Sequence, residues 1–172
     1  YRSAAGKLMT NITPGVFEKR TDEARKVSSM EFGYMYAFKY DPKTKNDLPY
    51  YDTFPLIFPV RMDSDGFLGI NFHYLPPVLR AKLMNALYST LTNKKYDDTT
   101  KVKISYSILQ SASKYRFFKP MLKKYLRSHV RSQFLEIQVN EWDIAIFLPT
   151  ESFRKADTGR VWEESRKQIG RT

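Results

Sequence analysis

The chain reads as an α+β protein: a small, strongly curved antiparallel β-sheet, or an SH3-like barrel, with inserted helices and extended amino- and carboxyl-terminal segments. Three observations predict this. Short runs rich in β-formers end at Pro, Gly or Asp turn signals; a clear helical stripe lies between the third and fourth of these runs; and both ends are polar, with few apolar anchors. Residues 1–31 are expected to form an arm, 32–150 the folded domain with a helical insertion over about 76–131, and 151–172 a docking segment.

The arm is polar and mixed in charge, with a turn signal at Thr13-Pro14-Gly15. From Gly33 to Tyr40 aromatic residues crowd together and stop at Asp41-Pro42, which predicts a strand and its turn. A second strand, Phe54 to Arg61, carries Pro55 and Pro59, and is therefore expected at an edge or in irregular pairing. The third runs from Gly66 to Tyr74 after the turn Asp63-Ser64-Asp65-Gly66. Pro76-Pro77 opens a helix in which Leu79, Leu83, Leu87 and Leu91 recur every four residues. Residues 99–113 fit a strand through Val102, Ile104, Tyr106 and Ile108, or a helix through Ile104, Ile108, Leu109 and Ala112; helix is the reading taken. A further helix is expected from Pro120, with Met121, Leu122, Tyr125, Leu126 and Val130 on its dry side. Phe134–Val139 and Trp142–Leu148, separated by Asn140-Glu141, predict a hairpin, and the segment after Ser152 a helix anchored by Val161, Trp162 and Ile169.

With 172 residues, 42% of them hydrophobic, the chain can bury a sizeable core. It has no apolar run approaching the roughly 18 residues needed to span a bilayer, so a soluble protein without a membrane partner is expected. With no cysteine and two histidines there is neither a disulfide framework nor a zinc cluster, which fits a reducing cytoplasm, and no cofactor is expected.

The basic excess is concentrated. Net charge is +11, and between Ser113 and Phe134 stand Lys114, Arg116, Lys119, Lys123, Lys124, Arg127 and Arg131 with no Asp or Glu. On a helix Lys123, Arg127 and Arg131 would align at i, i+4 and i+8, a stripe about 12 Å long. Like charges on one face repel unless a polyanion neutralises them, so nucleic acid is the expected partner, and a solvated face on a basic protein is the alternative. Contact with about five phosphates of duplex DNA would give a log–log salt slope near −4.5. Aromatics interleave at Tyr106, Tyr115, Phe117, Phe118 and Tyr125, where Tyr115 beside Arg116 is the better placed for contact and Phe117, Phe118 and Tyr125 suit a core. Tyr50, Tyr51 and Trp162 are candidate protein-binding residues.

Catalysis finds little support. Asp63 and Asp65 occupy a turn that favours aspartate anyway, and Glu136 is followed by Gln138 where a metal-dependent nuclease would want lysine. Gly66 and Gly69 do not make a phosphate-binding loop and mark a bulge instead. His73, at the end of an apolar strand, reads as a structural histidine, and His129 belongs with the basic segment. No enzyme is expected.

Three stretches carry a family likeness: 40–56, with Tyr40-Asp41-Pro42-Lys43 and Leu48-Pro49-Tyr50-Tyr51-Asp52-Thr53-Phe54-Pro55-Leu56; 66–77, from Gly66-Phe67-Leu68-Gly69 to Leu75-Pro76-Pro77; and 141–149, Glu141-Trp142-Asp143-Ile144-Ala145-Ile146-Phe147-Leu148-Pro149. They resemble a virion protein of large contractile-tailed bacteriophages, the DNA end protector family. The resemblance implies a protein made in the host cytoplasm that binds the end of the packaged double-stranded genome, enters the virion near the head-to-tail junction, contacts other virion proteins and shields the end from exonuclease. It supplies no residue-level motif. A structural subunit of the phage neck, tail or baseplate, docking through its two ends, is the alternative.

Overall fold

Six strands pair into one antiparallel sheet in the computed structural model, which describes residues 26–83, 93–97, 99–100, 103–104, 106–108, 116–138 and 141–170. In chain order the elements are β1 (Lys26–Val27), β2 (Met35–Ala37), β3 (Tyr51–Asp52), β4 (Leu56–Met62), β5 (Gly66–Asn71), α1 (77–83), α2 (the described helical residues of 99–108), β6 (Leu122–Leu126), β7 (Phe134–Ile137), α3 (Trp142–Ala145), β8 (Phe153–Arg154) and α4 (Thr158–Gly170). The sheet order is β1-β7-β2-β4-β5-β6, and β3 pairs with β8 in a separate ribbon. The protein is thus α+β, as expected. The pairings end at β1 and β6, so closure into a barrel is not among them.

Both faces of the sheet are buried, and the strands sort their side chains with the period of two that a pleat imposes. Met35, Ala37, Leu56, Phe58, Ile70, Leu135 and Ile137 face a core covered by Leu75, Leu83, Trp142 and Ile146. Tyr36, Phe38, Ile57, Phe67, Tyr125 and Phe134 face the other way and form an aromatic cluster. There the Phe38 ring lies 5.3–5.6 Å from those of Phe67, Tyr125 and Phe134 in edge-on contacts. Phe67 and Phe134 stand on strands three places apart, yet their centroids are 5.9 Å apart. Three steps in a flat sheet would separate them by about 14 Å, so this face is concave. Burial on both faces also explains why residues 54–60 read as a continuous apolar run.

Several expectations are corrected. The segment expected to be a helix from Pro120 is instead a short 3₁₀ turn (Arg116–Met121) followed by β6, which pairs with β5 from Gly66↔Leu126 to Ile70↔Leu122. Pairing with an otherwise open edge overrides the four-residue spacing of the cations. The helical insertion therefore ends before residue 122. Trp142–Leu148 is not the second strand of a hairpin: Trp142, Ala145 and Ile146 are buried at i, i+3 and i+4, a helical spacing that alternation had masked. β4 is central rather than an edge. Its pairing with β2 uses Tyr36↔Ile57 and Ala37↔Leu56, and its pairing with β5 shifts register between Pro59 and Arg61, so Pro59, which lacks an N–H, sits at the irregularity. Gly66 is required by close approach, since a Cβ there would lie 1.9 Å from the Tyr125 carbonyl oxygen. Most of the expected arm, residues 1–25, lies outside the described residues.

Candidate nucleic-acid interface

The chain must turn sharply after β6 to reach its slot between β1 and β2. Arg127–His129 form one 3₁₀ turn flanked by extended Leu126 and Val130. The turn is fastened to the segment after β2. The Leu126 amide donates to the Tyr40 hydroxyl (2.9 Å), the Asp41 amide to the His129 carbonyl (3.0 Å), and the Arg131 amide to the Lys39 carbonyl (2.8 Å). Tyr40 and Val130 also form a β-bridge. These bonds fix a ridge from which Arg127 and Arg131 project into solvent. A cleft of about 370 Å³ lies on the Arg127 side and one of about 310 Å³ on the Arg131 side.

The seven basic candidates do not form one helical stripe. On a strand adjacent residues point to opposite faces, so Lys123 and Lys124 diverge. Lys123 turns inward to sit over the Tyr74 ring, 4.2 Å from its centroid, and burial pushes its ammonium down to about 8. Lys124 is exposed and bonds Asp63 (2.5 Å) and Asp65 (2.8 Å), which raises its pKa. Asp63 is held below its ordinary value by Arg61 first and then Lys124, and Asp65 by Lys124. Arg131 donates to the Ser128 carbonyl (2.7 Å) and lies 3.8 Å from Asp41, whose carboxyl is lowered first by its hydrogen bond to Lys45. Arg127 donates to the Asp63 carbonyl (3.1 Å), and no ion pair of Arg127 with a carboxylate is found among the described residues. Lys119 is exposed. Lys114 and the side chain of Arg116 lie outside the described residues, as do those of Tyr115, Phe117 and Phe118. The acid-free block is thus partly neutralised by aspartates about sixty residues away in the chain. Cations still prevail around the ridge, where Lys39, Lys45, Arg61, Lys124, Arg127 and Arg131 outnumber Asp41, Asp63 and Asp65.

The tyrosine and tryptophan candidates lie elsewhere. Tyr51 is half-buried in β3, opposite Arg154 of β8, and the Tyr50 ring rests 6.2 Å from that of Tyr74. Trp162, on α4, is engaged internally: its indole N–H donates to the His73 carbonyl (2.9 Å), and the Arg80 guanidinium lies 5.5 Å from its ring.

A buried polar network beneath the ribbon is the part that sequence reasoning missed. His73, fully buried, donates from Nδ1 to Asp52 Oδ2 at 2.7 Å and meets the Thr150 hydroxyl through Nε2 at 2.9 Å. Asn71 donates to Asp52 (3.1 Å) and to the Tyr125 hydroxyl (3.1 Å), and the Phe54 amide donates to Asp52 (2.9 Å). Burial acts to raise the Asp52 pKa, but the imidazole and these donors outweigh it and hold the carboxyl below the usual range. Arg80 is 1% exposed, pairs with Glu151 (2.7 Å) and donates to the carbonyls of Leu75 (2.7 Å) and Ile146 (2.5 Å). The Asp–His–Thr chain has the order of a nucleophilic triad, but its hydroxyl is as buried as its imidazole. It serves here to join β3, β5 and the 148–152 segment. The sequence reads His73 as structural, and it signals Arg80 only by its place beside Leu79 and Leu83. Among the described residues no cluster of three His, Asp or Glu is positioned to hold a metal ion.

The family model described as the phage T4 terminal DNA protecting protein matches residues 14–165 of the chain. No curated protein and no solved structure matches it.

Proposed function

The chain belongs to the phage T4 terminal DNA protecting protein family, and we propose that it binds the end of duplex DNA through backbone phosphates, with the ridge at 127–131 as the centre of contact. Arg127 and Arg131 are the principal contacts, with Lys124 and Lys119 beside them and Lys114 and Arg116 next in the chain. The observation that carries this reading is the pair of exposed arginines held on a backbone-fastened turn in a surround where cations exceed carboxylates. A phosphate displaces the weak Asp41 contact of Arg131 at small cost, because both groups are solvated. Lys123 is left out of the contact set, since it lies over Tyr74 on the other face of β6.

Protection follows from occupancy, because an exonuclease must thread a free strand end and a protein seated there denies it. The reading assigns the protein a non-enzymatic role and carries it with the genome in the phage particle. No helix among the described residues is long and apolar enough to cross a membrane. Other virion proteins would meet it through Tyr50 and Tyr51 of the ribbon.

The test compares blunt linear duplex with closed circular DNA of equal length across a salt series, followed by exonuclease challenge. Preference for linear DNA, a log–log slope of about −5.4 for the six contacts and slowed digestion are expected. Equal binding to both forms would refute end recognition, and a slope near zero would refute phosphate contact.

A further inference from the structure

The two clefts that flank the ridge differ in character. That on the Arg131 side is lined by Lys39, Tyr40, Thr53, Phe54, Arg131 and Ser152, and the Arg131 guanidinium lies near the Asp41 carboxylate. That on the Arg127 side has a charged and hydroxylic rim of Arg127, Ser28 and Ser29 and an apolar wall of Met30, Met62 and Val130, with Phe134 at its floor. Resting on the end-binding reading above, we propose that this second cleft receives a terminal nucleotide of the DNA strand, turned out of the duplex.

The chemistry of the two sides matches the two halves of a nucleotide. Arg127 can spare donors for a phosphate: its guanidinium donates to the Asp63 carbonyl and to the Met62 sulfur, without a carboxylate partner among the described residues. The Ser28 and Ser29 hydroxyls of the same rim add donors for the remaining phosphate oxygens. The methionine and valine wall suits the face of a base, because thioethers make favourable contacts with aromatic rings and conform to either purine or pyrimidine. A volume of about 370 Å³ falls at the small end of ligand clefts, in keeping with one nucleotide rather than a base pair.

The apolar wall also separates an end from an interior site. Phosphates within a duplex can meet arginine, but their bases stay stacked and paired and cannot reach such a wall. Unpairing costs least at a terminus, where one stack is lost instead of two. The groove would therefore add, at an end only, an interaction on top of the salt-dependent attraction common to all duplex DNA. It also tolerates sequence, as protection of any end requires, because every base has a face to stack.

The test uses a blunt duplex carrying 2-aminopurine at its terminal position, a second carrying it several pairs inward, and a duplex closed by hairpins at both ends. Binding of the unaltered protein should change the fluorescence of the terminal probe and leave the inner probe unchanged. Ser28→Trp, which fills the groove from its exposed rim, should abolish the terminal signal and lower the preference for open over closed duplex about tenfold, the worth of one stacked base. An unchanged thermal unfolding midpoint shows that it folds, and its affinity for closed duplex should fall less than its affinity for open duplex. Arg127→Gln should weaken both the terminal signal and overall affinity. Preference for open ends with a silent terminal probe, or an unchanged probe response in Ser28→Trp, would overturn the groove assignment alone. Equal affinity for open and closed duplex would overturn the end-binding reading and this assignment with it.

Discussion

The ridge at 127–131 and the interior network around Arg80 and His73 both gather charged groups, but treat them in opposite ways. Inside, every charge has a designated partner. Arg80 meets Glu151 and three carbonyls, and Asp52 meets an imidazole, an amide side chain and backbone N–H groups. Outside, Arg127 and Arg131 lean on carbonyls and a distant carboxylate, and keep donors facing solvent. A buried charge must be fully matched because desolvation is costly, whereas an exposed one is free to await a ligand. On the proposed reading the interior charges serve stability and the ridge charges serve binding.

The sharpest way to break this division is Arg80→Met. It leaves Glu151 and several carbonyls without their donor, and about 3–5 kcal/mol of stability should be lost in urea unfolding, while DNA affinity per folded molecule is kept. Next comes Asp52→Asn, expected to cost about 1–3 kcal/mol, since one acceptor of the network weakens. The sign of its pH dependence follows from the folded carboxyl lying below its unfolded value. As pH falls through about 4 the unfolded chain takes up the proton first, so the stability Asp52 contributes is full above that pH and lost below it. The substituted protein should show a shallower acid limb in pH-dependent unfolding.

The complementary test lies on the ridge. Arg127→Gln with Arg131→Gln should reduce the magnitude of the salt slope by about 1.8, near 0.9 for each lost phosphate contact, with unfolding free energy altered by no more than about 0.5 kcal/mol. A further test is offered by Lys123, which lies between the two regimes. Its folded pKa of about 8 is below its unfolded one, so the unfolded chain holds more protons between about pH 8 and 10.5 and stability should rise with pH across that window. Lys123→Met should remove that increment relative to the unaltered protein, with DNA affinity unchanged.

Features set by neighbouring residues were legible in the sequence. The Asp63–Gly66 turn, the helix opened by Pro76-Pro77 and the β-rich runs around Phe38 and Phe67 all carry local chemistry that decides their conformation. Features set by distant residues were not. Leu122–Leu126 became a strand because β5 offered an unpaired edge more than fifty residues earlier, and Lys124 lost its freedom to aspartates that precede it by about sixty. The Arg80–Glu151 pair joins residues seventy-one apart. At the ridge, sequence identified Arg127 and Arg131 through charge density, but placed them on a helix whose geometry the strand and 3₁₀ turn do not share. Ser28, Met30 and Met62 carried no signal, because only the fold brings them to Arg127.

The place of β7 has a consequence for how the molecule is made. This late strand slots between β1 and β2, bridging residues 26–27 to 134–135 and 35–37 to 135–137. The meander of β2, β4 and β5 can form early during synthesis, but the amino-terminal strand has no sheet partner until the ribosome has delivered residue 135. Such long loops close slowly. Docking β7 beside β2 also brings the preceding turn next to the segment after β2, to which its own hydrogen bonds fasten the arginine ridge. Amides of β1 and β7 should consequently exchange with solvent as one cooperative unit, later to gain protection than those of β4 and β5.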